Sequence, residues 1–382
     1  MKILLVGEYS RLHNSLKEGL IELGHDVVLV GNGDTFKNYP IDINIDNSFS
    51  KKYIPSILRK IFFRLLKIDL ADYETIYKFK KALPRLTDFD IVQLINEDAL
   101  CIKPTFQQKL LKTLFKQNKN IFLLCSGQDY VSISYALKNK LKYSILTPYL
   151  ENSKLKKKYH FSLKYTSKPY YNLYKFIKNN TIGVIATDID YHIPYQGKSN
   201  YLGLIPNPIN IDKITFEPIK KIDTIKIFHG VNIASSTQKG NIHFKTALEI
   251  ISKKHPNKVE IITTYSIPYK DYIKRYNECH ILLDQVYAYD QGYNALEAMA
   301  KGKVVFTGAE QEWLDYYNLE EDTVAINALP DAEKIAEKIE WLILNPHKII
   351  EISQNARRFI EREHHYITSS KKYLDIWNST TH

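Results

Sequence analysis

The sequence predicts an α/β protein made of two doubly wound domains. Apolar runs of strand length alternate with segments of helical periodicity along the chain, and Pro206–Pro208 interrupts this alternation once. A chain of 382 residues is also too long for a single core and suits two domains. Alternation of this kind produces parallel sheets that are covered by helices on both faces.

The first half opens with a β-loop-α-β unit. A buried strand at residues 2–6 is followed by a loop at Gly7–Ser10, a helix at Leu12–Leu23 that ends at Gly24, and a strand at Asp26–Val30. Further strands are predicted at Ile91–Ile95, Ile121–Cys125 and Thr181–Ala186.

The same order restarts after the break. Strands are predicted at Ile225–His229, Val259–Thr263, Ile281–Asp284, Val304–Thr307 and Thr323–Ile326. Helices are predicted at Ile242–Lys253, Tyr269–Asn277 and Glu310–Tyr316, with two more near the end of the chain. We therefore assign residues 1–206 to a first domain and residues 207–360 to a second, followed by a last helix within residues 361–382.

Composition excludes several classes of protein. The hydrophobic fraction of 44% and the charged fraction of 25% are those of a soluble globular protein, and no apolar run reaches the ~18–20 residues of a membrane span. The apolar stretch after Met1 is too short for a signal peptide. Cys101, Cys125 and Cys279 are widely spaced, which indicates neither a disulfide framework nor a zinc site and favours a cytoplasmic location.

Positive charge is concentrated in the first half of the chain. The net charge is +11, and between residues 101 and 180 many lysines are accompanied by two acidic residues, Asp129 and Glu151. This asymmetry predicts an anionic partner for the first domain.

The segment from Asp290 to Phe306 carries the most specific signal. A glycine turn at Gly292 leads into a short helix, so the backbone N–H groups of Tyr293 and Asn294 are expected to be free to bind an anion such as a phosphate. Glu297 lies about one turn further along, where a carboxylate can accept hydrogen bonds from two adjacent hydroxyls. A phosphate and a ribose together predict a nucleotide site. The alternative is that Glu297 is a surface acid and its apolar neighbours are core residues.

This segment resembles the donor-binding signature of the retaining GT-B glycosyltransferases of the Glu-x7-Glu family (glycosyl transferases group 1, family 4-like). That signature typically reads Glu-x-Phe-Gly-x-x-x-x-Glu-Ala-Met-Ala-x-Gly-x-Pro-Val. The positions that fall in step are Gly292, Glu297, Ala298, Met299, Ala300, Gly302 and Val305. Two positions depart from it, because Tyr289 stands at the first glutamate and Val304 at the proline.

The resemblance implies a GT-B fold, with two Rossmann-like domains facing a cleft and a last helix, containing Trp377, that crosses back to the first domain. It implies that Glu297 is the ribose ligand, and it puts Tyr289 where the family's first glutamate touches the donor sugar. The segment from Ile205 to Asn210 is also similar to the family's Ile-Pro-Asn-Gly-Val-Asp boundary between the domains.

A second stretch of the second domain is expected to hold the diphosphate. In the family, the loop after the domain's first strand supplies an arginine and a lysine that neutralise the leaving group. Lys239 and Gly240 match the Lys-Gly pair, whereas the arginine has no clear counterpart. Lys239 is therefore the predicted catalytic cation, and His229 and Asn232, with Gly230 between them, are predicted as further members of the donor site. The alternative is that Lys239 is a solvated loop lysine.

Site residues of the first domain are predicted from their place at the carboxyl ends of strands. Gly7 and Ser10 lie in the loop after the first strand and are assigned to the donor site. His13 follows in the helix, and Asp129 follows a later strand as an acceptor ligand or base; both are assigned catalytic roles. The alternative is that Ser10 caps the helix and His13 is exposed on it. Asn96 and Glu97 have a similar location and less support.

No metal and no cofactor are predicted besides the nucleotide-diphosphate sugar. Asp188-Ile189-Asp190 copies the Asp-x-Asp of metal-dependent glycosyltransferases, but Asp88-Phe89-Asp90 shows the same pattern, so chance accounts for such strings.

Two lysine-rich segments are candidates for contact with an anionic membrane surface. The stretch from Lys51 to Ile68 is amphipathic at helical spacing, and the segment from Lys154 to Lys178 mixes lysines with tyrosines. The alternative for the first is a domain helix with a solvated basic face.

Together these features predict a metal-independent, retaining glycosyltransferase that acts on a glycan or lipid-linked acceptor in surface polysaccharide synthesis, such as lipopolysaccharide or capsule. It would be cytoplasmic or peripheral on the inner face of the membrane. One alternative is a non-catalytic nucleotide-sugar-binding protein, which the missing arginine and Tyr289 motivate. Another is a nucleic-acid-binding protein, which the basic half favours but no motif supports.

Overall fold

The structure is a computed structural model that describes residues 1–34, 39–48, 52, 59 and 69–381. The predicted amphipathic stretch from Lys51 to Ile68 lies outside the described residues, except for Lys52 and Arg59. No helix in the described part of the chain is long and apolar enough to cross a membrane.

The first domain contains a seven-stranded parallel sheet in the order β3-β2-β1-β4-β5-β6-β7. Its strands are β1 (Lys2–Val6), β2 (Asp26–Gly31), β3 (Ile43–Asn44), β4 (Ile91–Leu94), β5 (Ile121–Cys125), β6 (Gly183–Ala186) and β7 (Tyr201–Leu204). The central strands are buried on both faces, as their continuous apolar runs require.

Helices cover this sheet. They are α1 (Leu12–Glu22), α2 (Leu70–Ala82), α3 (Pro104–Lys116), α4 (Tyr130–Leu137), α5 (Thr147–Glu151), α6 (His160–Leu163), α7 (Lys168–Lys178) and α8 (Ile189–Tyr195). Short 3₁₀ turns lie at Leu83–Arg85, Ser153–Lys157 and Lys164–Thr166. The segment from Lys154 to Lys178 is therefore a series of short helices.

The second domain has the same architecture, with a five-stranded parallel sheet in the order β12-β11-β10-β8-β9. Its strands are β8 (Ile225–Val231), β9 (Val259–Tyr265), β10 (Ile281–Leu283), β11 (Val304–Thr307) and β12 (Ile326–Asn327). Its helices are α9 (Asn241–Lys254), α10 (Tyr269–Glu278), α11 (Tyr293–Ala300), α12 (Gln311–Tyr317), α13 (Ala332–Leu344) and α14 (Pro346–Glu363), with a 3₁₀ turn at Ile211–Lys213 before β8.

The final helix, α15 (Tyr366–Thr380), packs on α1 of the first domain. Gly19 permits this approach, since a Cβ there would lie 2.6 Å from the carbonyl oxygen of Tyr366. Trp377 is fully buried in the first core, and its indole N–H donates to Oε1 of Gln93 at 3.2 Å. The two passages of the chain between the domains lie side by side, because the N–H of Ile209 donates to the carbonyl of His364 at 2.7 Å.

The carboxyl ends of the two sheets meet. The first turn of α8, which follows β6, contacts the loop after β10: the N–H groups of Tyr289 and Asp290 donate to Oδ2 of Asp190 at 3.0 and 3.1 Å. In return, the N–H of Ile189 donates to Oδ2 of Asp290 at 2.9 Å. Parallel α/β sheets carry their ligand sites at this end of the strands, so a ligand site is expected in the cleft between the domains.

Candidate functional site

Lys239 is fixed at the edge of this cleft by an ion pair. Its ammonium lies 2.9 Å from Oδ1 of Asp284, whose side chain is 2% exposed at the end of β10, while the lysine side chain remains one-third exposed. The carbonyl of Lys239 also accepts the N–H of Val286 at 2.9 Å. Gly240 follows in the left-handed region at a φ of +70°, where a Cβ would lie 2.8 Å from that of Val286. Glycine is therefore needed beside the lysine.

The same carboxylate oxygen joins the lysine to helix α11. Nδ2 of Asn294 donates to Oδ1 of Asp284 at 2.8 Å. The hydroxyl of Tyr272 donates to Oδ1 of Asn294 at 2.9 Å, and that of Tyr276 donates to the Asn294 carbonyl at 2.8 Å. These bonds hold the Lys239 ammonium beside the first turn of α11.

The amino end of α11 is open. The carbonyl of Gly292 accepts the N–H groups of Ala295 and Leu296, and a Cβ at Gly292 would meet no atom within 4 Å. Among the described residues, no protein acceptor is bonded to the N–H of Tyr293 or Asn294. Two unbonded N–H groups, the positive end of the helix dipole and a nearby ammonium form a site for an anion.

Glu297 lies one turn further along α11 and is partly exposed. Residues three apart share a helix face, so its carboxylate is on the same side as Asn294. Burial and then the charge of Glu297 raise the pKa of the Tyr276 hydroxyl, which places this carboxylate close to that ring. Asn294, one turn before Glu297 on this helix, joins the predicted phosphate cation Lys239 through Asp284.

His229 lies at the end of β8 and is buried, with its ring edge-on to Phe244. Burial, together with the charge of Lys239, lowers its pKa to about 4, so the ring is neutral at pH 7. Neither ring nitrogen has a hydrogen-bond partner among the described residues. A neutral imidazole can donate one hydrogen bond, so His229 is suited to a neutral contact with a ligand and not to a second cation.

Gly230 and Asn232 position the loop. A Cβ at Gly230 would lie 2.4 Å from the ring of Tyr272, so glycine allows that ring to pack on the strand. Asn232 is exposed, and its Oδ1 accepts the N–H of Ala234 at 3.0 Å. That bond forms a local turn, which leaves the amide N–H₂ of Asn232 as its remaining donor.

The first domain places Gly7 and His13 in direct contact. Gly7 has a φ of +88°, and a Cβ there would lie 2.3 Å from the side chain of Ile95. Nδ1 of His13 is 2.7 Å from the Gly7 carbonyl and must donate to it. The alternative that His13 is exposed on the helix is wrong: it is fully buried, and burial lowers its pKa to about 3. Its Nε2 is then an acceptor, with no partner in the described residues.

Glu8 is a cleft residue that the sequence did not single out. Its Oε2 accepts the backbone N–H of Asn14 at 2.8 Å and the side-chain Nδ2 of Asn14 at 2.6 Å, whereas Oε1 is buried without a partner among the described residues. Burial raises its pKa to about 7. Its charge also contributes to the raised pKa of Tyr293, so Glu8 lies close to the donor helix of the second domain. The feature of the sequence that could have predicted Glu8 is its position directly after Gly7, the glycine that follows the first strand.

Ser10 and Asp129 have structural contacts. Ser10 is in the left-handed region, and its N–H donates to Oδ2 of Asp34 at 2.9 Å, while Arg11 is the N-cap of α1. Asp129 is the N-cap of α4: Oδ1 accepts the N–H of Ser132 at 2.7 Å, and Oδ2 accepts the Tyr195 hydroxyl at 2.9 Å. Because Asp129 is also buried, we assign it a capping role and do not count it among the reacting groups.

Part of the second domain matches a known family model. Residues 235–375 match the model of a family described as glycosyl transferase-like. This range contains Lys239, Asp284, Asn294 and Glu297. The predicted resemblance to the group 1-like glycosyltransferases is thereby confirmed. No curated protein matches the chain.

Solved structures show the fold of the whole chain. Sucrose-phosphate synthase from Thermosynechococcus elongatus has a TM-score of 0.60 at 14% identity, covering 99% of both chains. HepE from Anabaena in complex with UDP-glucose has a TM-score of 0.60 at 14% identity, covering 99% of this chain and 100% of that one. A mutant of S. aureus TarM in complex with fondaparinux, alpha-GlcNAc-glycerol and UDP has a TM-score of 0.61 at 12% identity, covering 99% of both. The predicted GT-B fold is confirmed.

Tyr289 of the glycosyl transferase-like domain does not occupy the role that its alignment position suggested. Its side chain is 1% exposed, its hydroxyl accepts the N–H of Lys142 at 2.8 Å, and its ring packs 5.6 Å from that of Tyr143. Its own N–H is bonded to Asp190. The structure therefore assigns Tyr289 to the contact between the domains.

Glu310 completes this contact. It lies in the glycosyl transferase-like domain and accepts hydrogen bonds from the ammonium of Lys142 at 2.8 Å, from the hydroxyl of Tyr143 and from Nδ2 of Asn327 at 2.6 Å. Burial alone would raise the pKa of Glu310, but these donors lower it below its usual value. No local pattern predicts this contact, because the residues that form it are far apart in the chain.

Asp188 and Asp190 also have a role that the sequence did not predict. Asp188 caps α8 through the N–H of Tyr191 at 3.2 Å, and Asp190 binds the glycosyl transferase-like domain as described above. Burial and repulsion from neighbouring carboxylates raise the pKa values of both. The Asp-x-Asp string thus contributes a helix cap and a domain contact.

Proposed function

We propose that the protein transfers a sugar from a nucleotide-diphosphate sugar to a glycan or lipid-linked acceptor, with retention of configuration. The observation that carries this proposal is the Asp284 carboxylate, which aligns the Lys239 ammonium with the open amino end of α11. The family match and the GT-B fold support glycosyl transfer. HepE and TarM were each solved with UDP, which supports a nucleotide donor here as well.

The proposed chemistry needs charge stabilisation at the departing diphosphate. As the bond from the sugar to the β-phosphate breaks, negative charge grows on the phosphate oxygens. The Lys239 ammonium and the N–H groups of Tyr293 and Asn294 would bind that charge, and neutral His229 can add one further donor. The acceptor hydroxyl attacks from the face that the diphosphate leaves, and the diphosphate takes its proton. No protein nucleophile and no metal are assigned.

Glu297 would bind the ribose hydroxyls, as the resemblance implies. On the opposite side of the cleft, Glu8 and His13 offer one unbonded buried acceptor atom each within the described residues. We propose that hydroxyls of the transferred sugar or of the acceptor donate to these atoms. A surface polysaccharide or its lipid-linked precursor, extended at the cytoplasmic face of the membrane, fits the basic first domain.

Release of nucleoside diphosphate from a panel of nucleotide-diphosphate sugars tests this function. We expect turnover with at least one UDP- or GDP-sugar, and its loss in Lys239→Ala. Lys245→Ala is the matched control, because Lys245 is an exposed lysine of α9 whose nearest carboxylate, Glu249, is 3.9 Å away. Equal turnover in the two variants would refute the assignment of Lys239.

A non-catalytic nucleotide-sugar-binding protein is the second candidate. It is favoured by the pairing of Lys239 with Asp284, which offsets part of the positive charge that the diphosphate needs. Saturable binding of a nucleotide-diphosphate sugar without turnover across a broad panel of acceptors would support this candidate over the enzyme.

A further inference from the structure

A cavity of about 500 Å³ lies on the first domain between helices α4, α7 and α8, outside the donor site. Its volume is within the range of ligand pockets, roughly 300–1,000 Å³. Aromatic and basic side chains dominate its lining, namely Tyr130, Tyr135, Tyr174, Lys138, Lys140 and Lys198. No acidic residue lines it.

The three lysines give the cavity a positive charge that no lining residue neutralises. In the part of the chain that the structure describes, none of them forms an ion pair with a carboxylate. The ammonium of Lys140 lies 5.4 Å from the ring centre of Tyr135. Three ammonium groups around one concave space repel one another and attract an anion, so an anionic ligand is favoured.

The tyrosines favour a ligand rich in hydroxyl groups. Tyr130 stacks on Tyr174 with 4.7 Å between ring centres and also packs against Tyr171 at 5.0 Å. Because Tyr130 and Tyr174 cover each other's faces, these two rings offer a ligand mainly their edges and hydroxyls, and the Lys140 ammonium lies over the ring of Tyr135. A nucleobase needs an open ring face for stacking, whereas a sugar can use hydroxyl donors and acceptors.

The cavity borders the contact between the domains. Lys142, two residues beyond Lys140, donates its N–H to Tyr289 and its ammonium to Glu310 of the second domain. At the other end of α4, the N–H of Tyr130 donates to Oε1 of Glu97, just beyond the carboxyl end of β4. A chain held in the cavity is thus next to the cleft.

We propose that this cavity binds an anionic glycan, whose carboxylates or phosphates lie against Lys138, Lys140 and Lys198. The identification of that glycan as the extended acceptor rests on the proposed glycosyl transfer, whereas its binding does not. The site would select acidic chains over neutral ones of equal length.

Calorimetric titration of the full chain with hexagalacturonate tests this proposal, with maltohexaose as the neutral probe. We expect hexagalacturonate to bind more tightly than maltohexaose and to lose affinity as salt is added. Lys138→Gln, Lys140→Gln and Lys198→Gln together should weaken it on the order of tenfold, at about 0.5 kcal/mol for each lost charge pair. The control changes the same charge elsewhere, with Lys154→Gln, Lys156→Gln and Lys157→Gln in the exposed 3₁₀ turn. Equal losses in the two triple variants, or no binding of hexagalacturonate, would overturn the proposal.

Titration with UDP and GDP separates this proposal from the proposed function. A protein that binds a nucleotide but not hexagalacturonate refutes the cavity alone. One that binds hexagalacturonate through the three lysines but no nucleotide refutes the sugar transfer alone. Anionic phospholipid vesicles and oligo-dT are the rival ligands. If the triple cavity variant no longer binds one of these rivals, and hexagalacturonate does not compete with that rival for the unmodified protein, the cavity is a site for the rival. The glycan proposal is then wrong.

Discussion

A single oxygen, Oδ1 of Asp284, accepts hydrogen bonds from both the Lys239 ammonium at 2.9 Å and Nδ2 of Asn294 at 2.8 Å. This buried carboxylate therefore sets the position of the cation relative to helix α11. In the proposed mechanism, Asp284 touches neither the sugar nor the phosphate. It is a positioning residue, and its effect on turnover should appear through Lys239.

Lys239→Ala should lower kcat by ~10²–10³, because one donor to the charge that develops on the diphosphate is lost. Asp284→Asn keeps an acceptor oxygen but loses the charge, so Lys239 is held less firmly; a fall in kcat of about tenfold is expected. Steady-state release of nucleoside diphosphate measures both. Asp284→Asn in a Lys239→Ala background should add little, and full additivity of the two effects would contradict the positioning role.

Gly240→Ala should destabilise the protein more than Gly197→Ala does, because Gly240 lies in a crowded loop beside Lys239 and Gly197 lies in open space. Gly240 and Gly197 have φ values of +70° and +75°, but a Cβ would lie 2.8 Å from Val286 Cβ at the former and meet nothing within 4 Å at the latter. Gly197→Ala should cost about 1 kcal/mol of backbone strain, and Gly240→Ala should cost more and reduce nucleotide affinity. Thermal unfolding with and without nucleotide checks this. Equal effects of both changes would show that small shifts of the structure relieve the close contact with Val286 at little cost in stability.

Tyr289→Phe should weaken the contact between the domains. The phenylalanine leaves the N–H of Lys142 without the hydroxyl that accepts it, at a position that is 1% exposed. A fully buried donor without a partner costs about 1–3 kcal/mol in the free energy of unfolding, and because the bond to Lys142 is only partly buried, a cost of about 1 kcal/mol is expected. Denaturant unfolding measures this, and Tyr265→Phe, at a side chain that is 55% exposed, is the control. No difference between the two variants would mean that the hydroxyl is not used.

The aspartates between the domains should make stability depend on pH. Burial and the charge of Asp290 raise the pKa of Asp190 from 3.8 to about 7, and burial raises that of Asp290 to about 6. The native state then holds these protons more tightly than the unfolded chain. The associated stability is fully present below about pH 4 and is lost as the pH rises to about 7.

Asp290→Asn tests this pH dependence. Asparagine keeps one acceptor oxygen where the carboxylate offers two, to the N–H groups of Ile189 and Gln291, and it removes the charge that raises the pKa of Asp190. The fall in Tm between pH 5 and pH 8 should therefore be smaller than in the unmodified protein. Asp223→Asn, at a side chain that is 78% exposed, should leave that fall unchanged. An unchanged pH profile in Asp290→Asn would contradict the coupling of these carboxylates.

Periodicity predicted most of the fold because the central strands are continuous apolar runs, as in β1 and β5. It missed β3 (Ile43–Asn44) and β7 (Tyr201–Leu204), which are edge strands. β3 has two residues, and β7 is half-exposed and contains Gly203 at a φ of +114° beside a register shift. Short edge strands lack the buried pattern on which the prediction depends.

The sequence predicts those parts of the candidate site that lie within a local motif. The Lys239–Gly240 pair and the turn at Gly292 both have local geometry that the sequence encodes. The partners of these residues were not predictable, because Asp284 reaches Lys239 only after β8 and β10 pair in the sheet. Tyr289 shows a different limit: its place in the motif follows from the sequence, but its role in the structure depends on a bond to Lys142, which is distant in sequence.

Titration of the chain with UDP and with GDP is the decisive test of a nucleotide site built from Lys239, the amino end of α11 and Glu297. At least one nucleotide should bind, with affinity reduced tenfold or more in both Lys239→Ala and Glu297→Ala and unchanged in Lys245→Ala. Binding of neither nucleotide, or binding that both site variants leave intact, would contradict the account.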